Sequence, residues 1–314
     1  MKSTRKENKA GAQDTYVENL NLRVTDPALN RKKGLASKVQ FFGDIPLPSI
    51  VEISESGTCN RACSFCPRSA PDFVDKKIFI SNELIDKLAN DLVAVDYKGL
   101  ILFSGFVEAL LDKNISRHIA VLKTALPDCR IEMVTNGDPI TVKNLNKLQS
   151  AGLNALLVSC YDGEHQIPQI SALVRASNMP IENVVFRKRW GSEEENFGIS
   201  LSNRGGMMVG AEFSIADLTE PLQKPCYYPA YTFFMDYTGE VLMCAHDWGK
   251  QAIAGNLHKN SFTEIWAGKR FSKWRENLLN AKRGFKPCNV CNVDGTRMGL
   301  EHAEAWSSHK GIKL

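Results

Sequence analysis

From residue 49 onward the chain alternates two kinds of apolar pattern. Short β-branched or apolar runs at 49–54, 99–104, 130–135, 154–159 and 183–188 read as strands. The segments between them, 82–95, 115–126, 142–151 and 166–177, place apolar residues every three or four positions and read as helices. Five such alternations predict an α/β fold: a parallel sheet with right-handed crossovers, open or closed into a partial barrel. In both, the functional loops lie beyond the C-terminal ends of the strands. After about Trp190 the alternation stops, although 198–202 has the texture of a sixth strand. Runs at 231–236 and 240–244 flank Tyr237-Thr238-Gly239, an antiparallel hairpin signal, and 262–267 and 271–281 read as helices. Residues 1–47 are polar and punctuated by Pro27 and Pro46, the texture of a loosely packed leader. The pattern thus divides the chain into a leader (1–47), a partial barrel (48–215) and a small domain of a hairpin plus helices (216–314).

Composition narrows the class without naming a reaction. The formal charge of +4 over 314 residues is mild and the basic residues are interspersed with acids, so no nucleic-acid partner is expected. No apolar stretch is long enough for a membrane span, and the N-terminus lacks the apolar segment of a secretory signal. A cytoplasmic location is expected, and with it nine cysteines are more readily metal ligands than a disulfide framework.

Seven of the nine fall into two groups. Cys59-Asn-Arg-Ala-Cys63-Ser-Phe-Cys66 follows the first strand as C-x3-C-x2-C. Three thiolates on one tight loop can ligate three irons of a [4Fe–4S] cubane and leave the fourth open to a substrate. A structural zinc loop would ordinarily offer paired C-x2-C knuckles and a fourth ligand, and the next histidine, His118, is remote in sequence. Cys226, Cys244, Cys288 and Cys291 form the second group, whose last two make a C-x2-C pair. Four thiolates suit a fully ligated cluster or a structural zinc ion, and spacing alone leaves both open.

The motif around Cys59, with Phe65 immediately before Cys66, resembles the signature of the radical S-adenosylmethionine (SAM) superfamily, and the resemblance extends from about residue 49 to 291. It implies a partial (β/α) barrel of the radical SAM type. It also implies a cluster whose open iron is chelated by SAM, which one electron cleaves to methionine and a 5′-deoxyadenosyl radical. Phe65 would lie against the adenine. Gly105 and Glu108, in Ser104-Gly-Phe-Val-Glu-Ala109, match a turn that receives the SAM ammonium group, while Val107 and Ala109 depart from it. Asn136 and Ser159, at the ends of the third and fourth strands, match polar SAM contacts. Asn136-Gly137-Asp138 is equally a plain turn, with Asp138 capping the next helix.

By the same resemblance the later four cysteines look like the auxiliary-cluster domain called SPASM or twitch. This makes two [4Fe–4S] clusters in all, the second suited to accepting an electron. The implied activity is a dehydrogenase-like oxidation of a carbinol in a sugar-, cyclitol- or nucleoside-like small molecule, served by a low-potential donor such as flavodoxin or ferredoxin. Alcohol-oxidising members carry an arginine within Ser-Asn-Arg-Gly-Gly that contacts the alcohol; the match is Arg204, whose guanidinium can stabilise a deprotonated alcohol. Alternatively, 203–206 is a turn with Arg204 paired to an acid. His246 either faces substrate or sits on the surface beside the hairpin. Arg187-Lys-Arg189 suits an anionic group or, with Glu193-Glu-Glu195 following, a solvated face. Cys160 could donate a hydrogen atom in an epimerase, or pack like Cys129. Modification of a ribosomally made peptide is a further enzyme reading, and a metal-stabilised binding protein the non-enzyme one.

Overall fold

The computed structural model describes Gly34, residues 38–199 and residues 201–310; most of the expected leader lies outside them. Eight strands form the main sheet: β1 (Ile50–Ser54), β2 (Leu100–Phe103), β3 (Arg130–Thr135), β4 (Ala155–Cys160), β5 (Val184–Lys188), β6 (Thr232–Asp236), β7 (Glu240–Leu242) and β8 (Ile253–Asn256). Their order is β8-β7-β6-β1-β2-β3-β4-β5. The six strands from β6 to β5 run parallel, and β7 and β8 are antiparallel additions. Helices α1 (Asn82–Val93), α2 (Ile115–Ala125), α3 (Val142–Ser150) and α4 (Gln166–Arg175) make the crossovers. The fold is the α/β class the alternation predicts.

Period two explains the two faces of the sheet. Val51, Ile53, Ile101, Phe103, Ile131, Met133, Leu156, Val158 and Phe233 join the main core under the helices. Their strand neighbours Ile50, Leu100 and Leu102 form a separate inner cluster. Helix starts are local: the Ser81 side chain accepts from Leu84 N, and Thr141 with Asn144 forms a capping box.

One expectation changes. Among the described residues no strand forms over 198–202; Asn196–Gly198 is a 3₁₀ turn with Phe197 at φ 52°, and the sheet ends at β5. The expected hairpin is present, and it is joined to the barrel strands. Thr232–Asp236 pairs in parallel with Ile50–Ser54, so the part of the chain after 215 extends the same sheet. That pairing puts Cys244, two residues beyond β7, on an extension of the same sheet whose strand β1 precedes the first cysteine group.

The helices α5 (Tyr228–Tyr231), α6 (Phe262–Trp266), α7 (Lys269–Leu279) and α8 (Leu300–Lys310) close the other end. Their junction is a buried cation. Arg275, 1% exposed, lies 4.0 Å from the Trp266 ring centre and 3.7 Å from that of Trp306, and donates to the carbonyls of Pro229 and Trp266. Lysine cannot reproduce that fork. Arg275→Lys is expected to cost about 2 kcal/mol, read by chemical denaturation, because it strands a buried carbonyl and loses the planar stack. No helix among the described residues is long and apolar enough to cross a membrane.

Candidate active site

A cavity of about 350 Å³ opens at the C-terminal ends of the parallel strands, where both sheet geometry and the cysteine loop place it. Cys59, Cys63 and Cys66 line it, together with Phe65, Gly105, Glu108, Asn136 and Arg204. No disulfide joins any of the nine cysteines. Burial pushes the Cys63 thiol up to about 11, with the neighbouring Cys66 adding to the shift, and burial raises Cys59 and Cys66 as well. Three crowded, half-buried thiols that resist ionisation as free groups are a donor set that a cation satisfies.

The cysteine loop is clamped by its own sequence. Arg61, between Cys59 and Cys63, donates to Asp138 through Nε (2.6 Å) and Nη2 (2.5 Å), and to Asp162 through Nη1 (2.8 Å) and Nη2 (2.6 Å). Two carboxylates at the ends of β3 and β4 therefore grip one guanidinium, and Arg61 holds the Asp162 carboxyl below its usual range. Asn60 Nδ2 adds a bond to Asp138 (2.8 Å). Asp138 thus ties the loop down rather than capping α3, which Thr141 caps. Arg61→Met is expected to cost about 1–2 kcal/mol and to reduce iron retained after anaerobic reconstitution, checked by iron assay and the visible absorption of the cluster.

Glu108 is 1% exposed, and its carboxylate accepts from Thr135 Oγ1 (2.7 Å), Asn136 N (2.7 Å) and Leu110 N (3.1 Å). Burial raises its pKa, opposed by these donors. Gly105 has φ 107°, and a side chain there would meet Ser54 at 3.0 Å, so the tight turn requires glycine. The Asn136 side chain turns to the cysteine loop, donating to Asn60 Oδ1 (2.7 Å) and lying 3.8 Å from Cys59 Sγ. Phe65 packs against Phe197 (4.9 Å between centroids) and Tyr161 (5.7 Å).

Two neighbours on β4 part company. Ser159 Oγ accepts from Arg187 Nη2 (2.6 Å), and Arg187 and the buried Arg189 line the cavity, while Lys188 between them is exposed. Cys160 is fully buried in the main core with Ile167 and Val174, and burial pushes its thiol up to about 12. Adjacent strand residues face opposite sides, so Cys160 lies away from the cavity and the hydrogen-donor role falls. Cys129 packs, as expected, donating to Tyr97 O (3.0 Å).

Arg204 lines the cavity at φ 49° and, among the described residues, pairs with no acid. His246 faces inward too: its Nε2 is 3.1 Å from Tyr228 Oη and its Nδ1 3.2 Å from Ser202 Oγ. Glu52, from the middle of β1, lines the same wall and accepts from Ser104 Oγ (2.7 Å). Sequence reasoning missed Glu52; an isolated acid inside an apolar strand was the available signal.

Cys226, Cys244, Cys288 and Cys291 converge beside this wall. After burial, each of Cys226, Cys244 and Cys288 is raised by other members of the group, Cys226 up to about 11. Gly295 leaves room for them: a side chain there would meet Cys226 Sγ at 2.2 Å. Arg283 donates to the carbonyls of Lys224, Pro225 and Val293, joining the two arms. Four mutually close thiols with a fixed cation nearby fit an anionic cluster.

Comparison with known proteins agrees with this geometry. Residues 53–179 match the model of the radical SAM superfamily and residues 226–292 that of an iron–sulfur cluster-binding domain, SPASM. An S-adenosyl-L-methionine-dependent 2-deoxy-scyllo-inosamine dehydrogenase of Niallia circulans is 26% identical over 247 residues, covering 78% of this chain and 92% of the relative. The crystal structure of BtrN in complex with AdoMet and 2-DOIA superposes with a TM-score of 0.67 at 26% identity, covering 82% of this chain and 98% of BtrN. An open conformation of BtrN gives 0.59 at 22% identity, over 82% and 97% of the two chains, and shares the fold.

Proposed function

Because residues 53–179 belong to the radical SAM superfamily and residues 226–292 form an iron–sulfur cluster-binding domain, we propose that this enzyme oxidises a carbinol of a cyclitol- or sugar-like small molecule to a ketone. It is a radical SAM oxidoreductase with SAM and iron–sulfur clusters as cofactors. The observation that carries the finer reading is a single cavity lined by Cys59, Cys63 and Cys66 and walled by Arg204, Glu52 and His246, with Tyr228 and Ala245, near neighbours in sequence of Cys226 and Cys244, in the same lining.

On this reading Cys59, Cys63 and Cys66 hold one [4Fe–4S] cluster and Cys226, Cys244, Cys288 and Cys291 the other. When bound, SAM and the first cluster supply a hydrogen-abstracting 5′-deoxyadenosyl radical, and the second cluster an electron acceptor. Gly105 and Glu108 form the turn toward the SAM amino group, a buried carboxylate being suited to an ammonium ion. Asn136 serves by holding the cysteine loop, and Ser159 by orienting Arg187. Phe65 offers an aromatic face among Tyr161 and Phe197.

Arg204 presents an uncompensated cation where a hydroxyl loses its proton, and it stabilises the oxyanion as the carbinol hydrogen leaves. The Ser202–His246–Tyr228 chain is a route by which that proton reaches the imidazole. Glu52, held by Ser104, accepts from a second substituent and favours an amine, as an aminocyclitol carries. The 26%-identical relative acts on 2-deoxy-scyllo-inosamine, which supports that substrate class.

The test is direct: incubation with SAM, dithionite and a panel of carbon-deuterated aminocyclitols and cyclitols. One member is expected to yield equal amounts of ketone and 5′-deoxyadenosine, with deuterium in the latter. If no ketone forms from any member while a peptide substrate transfers deuterium, the oxidation reading is wrong.

A further inference from the structure

Away from the cavity, three titratable side chains meet in the layer between sheet and helices. Glu55 follows β1, Asp112 ends the turn that begins at Glu108, and His118 sits on α2; Glu55 and His118 are fully buried and Asp112 is 3% exposed. His118 Nδ1 lies 3.0 Å from Glu55 Oε1 and 3.5 Å from Asp112 Oδ2. Coordinating atoms of all three residues lie within 4.8 Å of one another. Glu55 Oε2 and Asp112 Oδ2 are buried and meet no N–H or O–H donor, and burial followed by the adjoining Asp112 carboxyl raises the Glu55 pKa well above the usual carboxylate range. The reaction described above uses none of the three.

The other side of the imidazole fixes its tautomer. His118 Nε2 is 3.0 Å from Asn82 Oδ1, an acceptor, so Nε2 carries hydrogen and Nδ1 of the neutral ring turns its lone pair on the two carboxylates. Burial lowers the His118 pKa and favours that neutral ring. A lone pair and two carboxylates facing one another in a dry interior require positive charge between them.

We propose that Glu55, Asp112 and His118 form a structural metal site for a divalent ion of the zinc type. One imidazole nitrogen and carboxylate oxygens are ordinary zinc donors, and metal–ligand bonds of about 2.0–2.2 Å arranged tetrahedrally set donor separations of about 3.4 Å. The separations at Nδ1 are 3.0 and 3.5 Å. Asn82 supplies the second hydrogen bond that a metal-bound histidine makes. A dication also neutralises two carboxylates where no solvent can. Its structural effect is to fasten Asp112, and thus the turn bearing Glu108, to β1 and α2.

The rival occupant is a pair of protons, one on Glu55 directed at Asp112 and one on His118. Glu55→Gln separates the two, because glutamine mimics protonated glutamate: its amide donates to Asp112 and its carbonyl accepts from His118. The experiment uses holoprotein from zinc-supplemented culture, with both clusters reconstituted anaerobically. Expected are about one zinc per chain in addition to iron, and a zinc K-edge absorption spectrum with nitrogen and oxygen neighbours at about 2.0–2.1 Å and no sulfur at about 2.3 Å. Glu55→Gln is expected to lose zinc at least about tenfold and to lower Tm, with iron content unchanged. Absence of zinc from wild-type holoprotein, a sulfur shell around it, or a Glu55→Gln protein as stable as wild type would each overturn the site. The wild-type spectrum decides even if the variant does not fold.

Discussion

Cys63→Ala is expected to abolish SAM cleavage: under dithionite the variant should form no 5′-deoxyadenosine above the enzyme-free background. Cys63 stands in the middle of the loop, and its main chain accepts from Cys66 N at 2.9 Å, so the change removes a ligand and leaves the loop geometry intact. Iron should fall from about eight to about four per chain, because the second cysteine group is built from separate segments and is untouched. Iron and sulfide assay with quantified 5′-deoxyadenosine tests both halves. Undiminished nucleoside formation by Cys63→Ala would exclude a cluster on this loop.

Arg204→Met carries the second large effect and strikes later in the reaction. The cavity keeps its shape in the longest unbranched apolar substitute, but the cation beside the reacting hydroxyl is gone. Ketone formation is expected to fall by about 10²–10⁴-fold, the range a positioned proton-transfer or oxyanion-stabilising group contributes. SAM cleavage should persist at a rate closer to wild type, so 5′-deoxyadenosine exceeds ketone, and Arg204→Lys should recover part of the difference. The measured ratio of the two products separates a substrate role from a structural one. A merely structural Arg204 would lower both products together.

Much of this site was legible in the chain before folding. C-x3-C-x2-C and the C-x2-C pair at 288–291 are local patterns whose ligand chemistry depends on side chains close in sequence, whereas Cys226 and Cys244 join that pair from separate segments. Strand and helix alternation gave the α/β class, and the loop after β1 lay at the strand ends where chemistry belongs. Other features were legible but misread. Ser159 and Cys160 are consecutive on one strand, so period two already forbade both from facing the cavity. Arg61 sits inside the motif itself, yet its two acids, Asp138 and Asp162, come from loops roughly eighty and a hundred residues on. The final helix, α8, carries no amphipathic signal, because its charged and apolar positions do not segregate to separate faces; Trp306 is buried by its fit against Arg275 and Trp266.

What the sequence determined by itself is therefore the donor set: three thiolates on one loop, four more downstream, and a sheet end to carry the first three. Tertiary structure decided what surrounds them. The parallel pairing of Thr232–Asp236 with Ile50–Ser54 joins the segment that carries the second cysteine group to the sheet that carries the first, and the facing of β1 puts Glu52 into the cavity. It also gathers Glu55, Asp112 and His118 into one buried cluster from three elements. The division has a physical cause. Ligand spacing along a loop is governed by short-range geometry, whereas strand order and the side a residue faces follow from the burial of the whole apolar pattern at once.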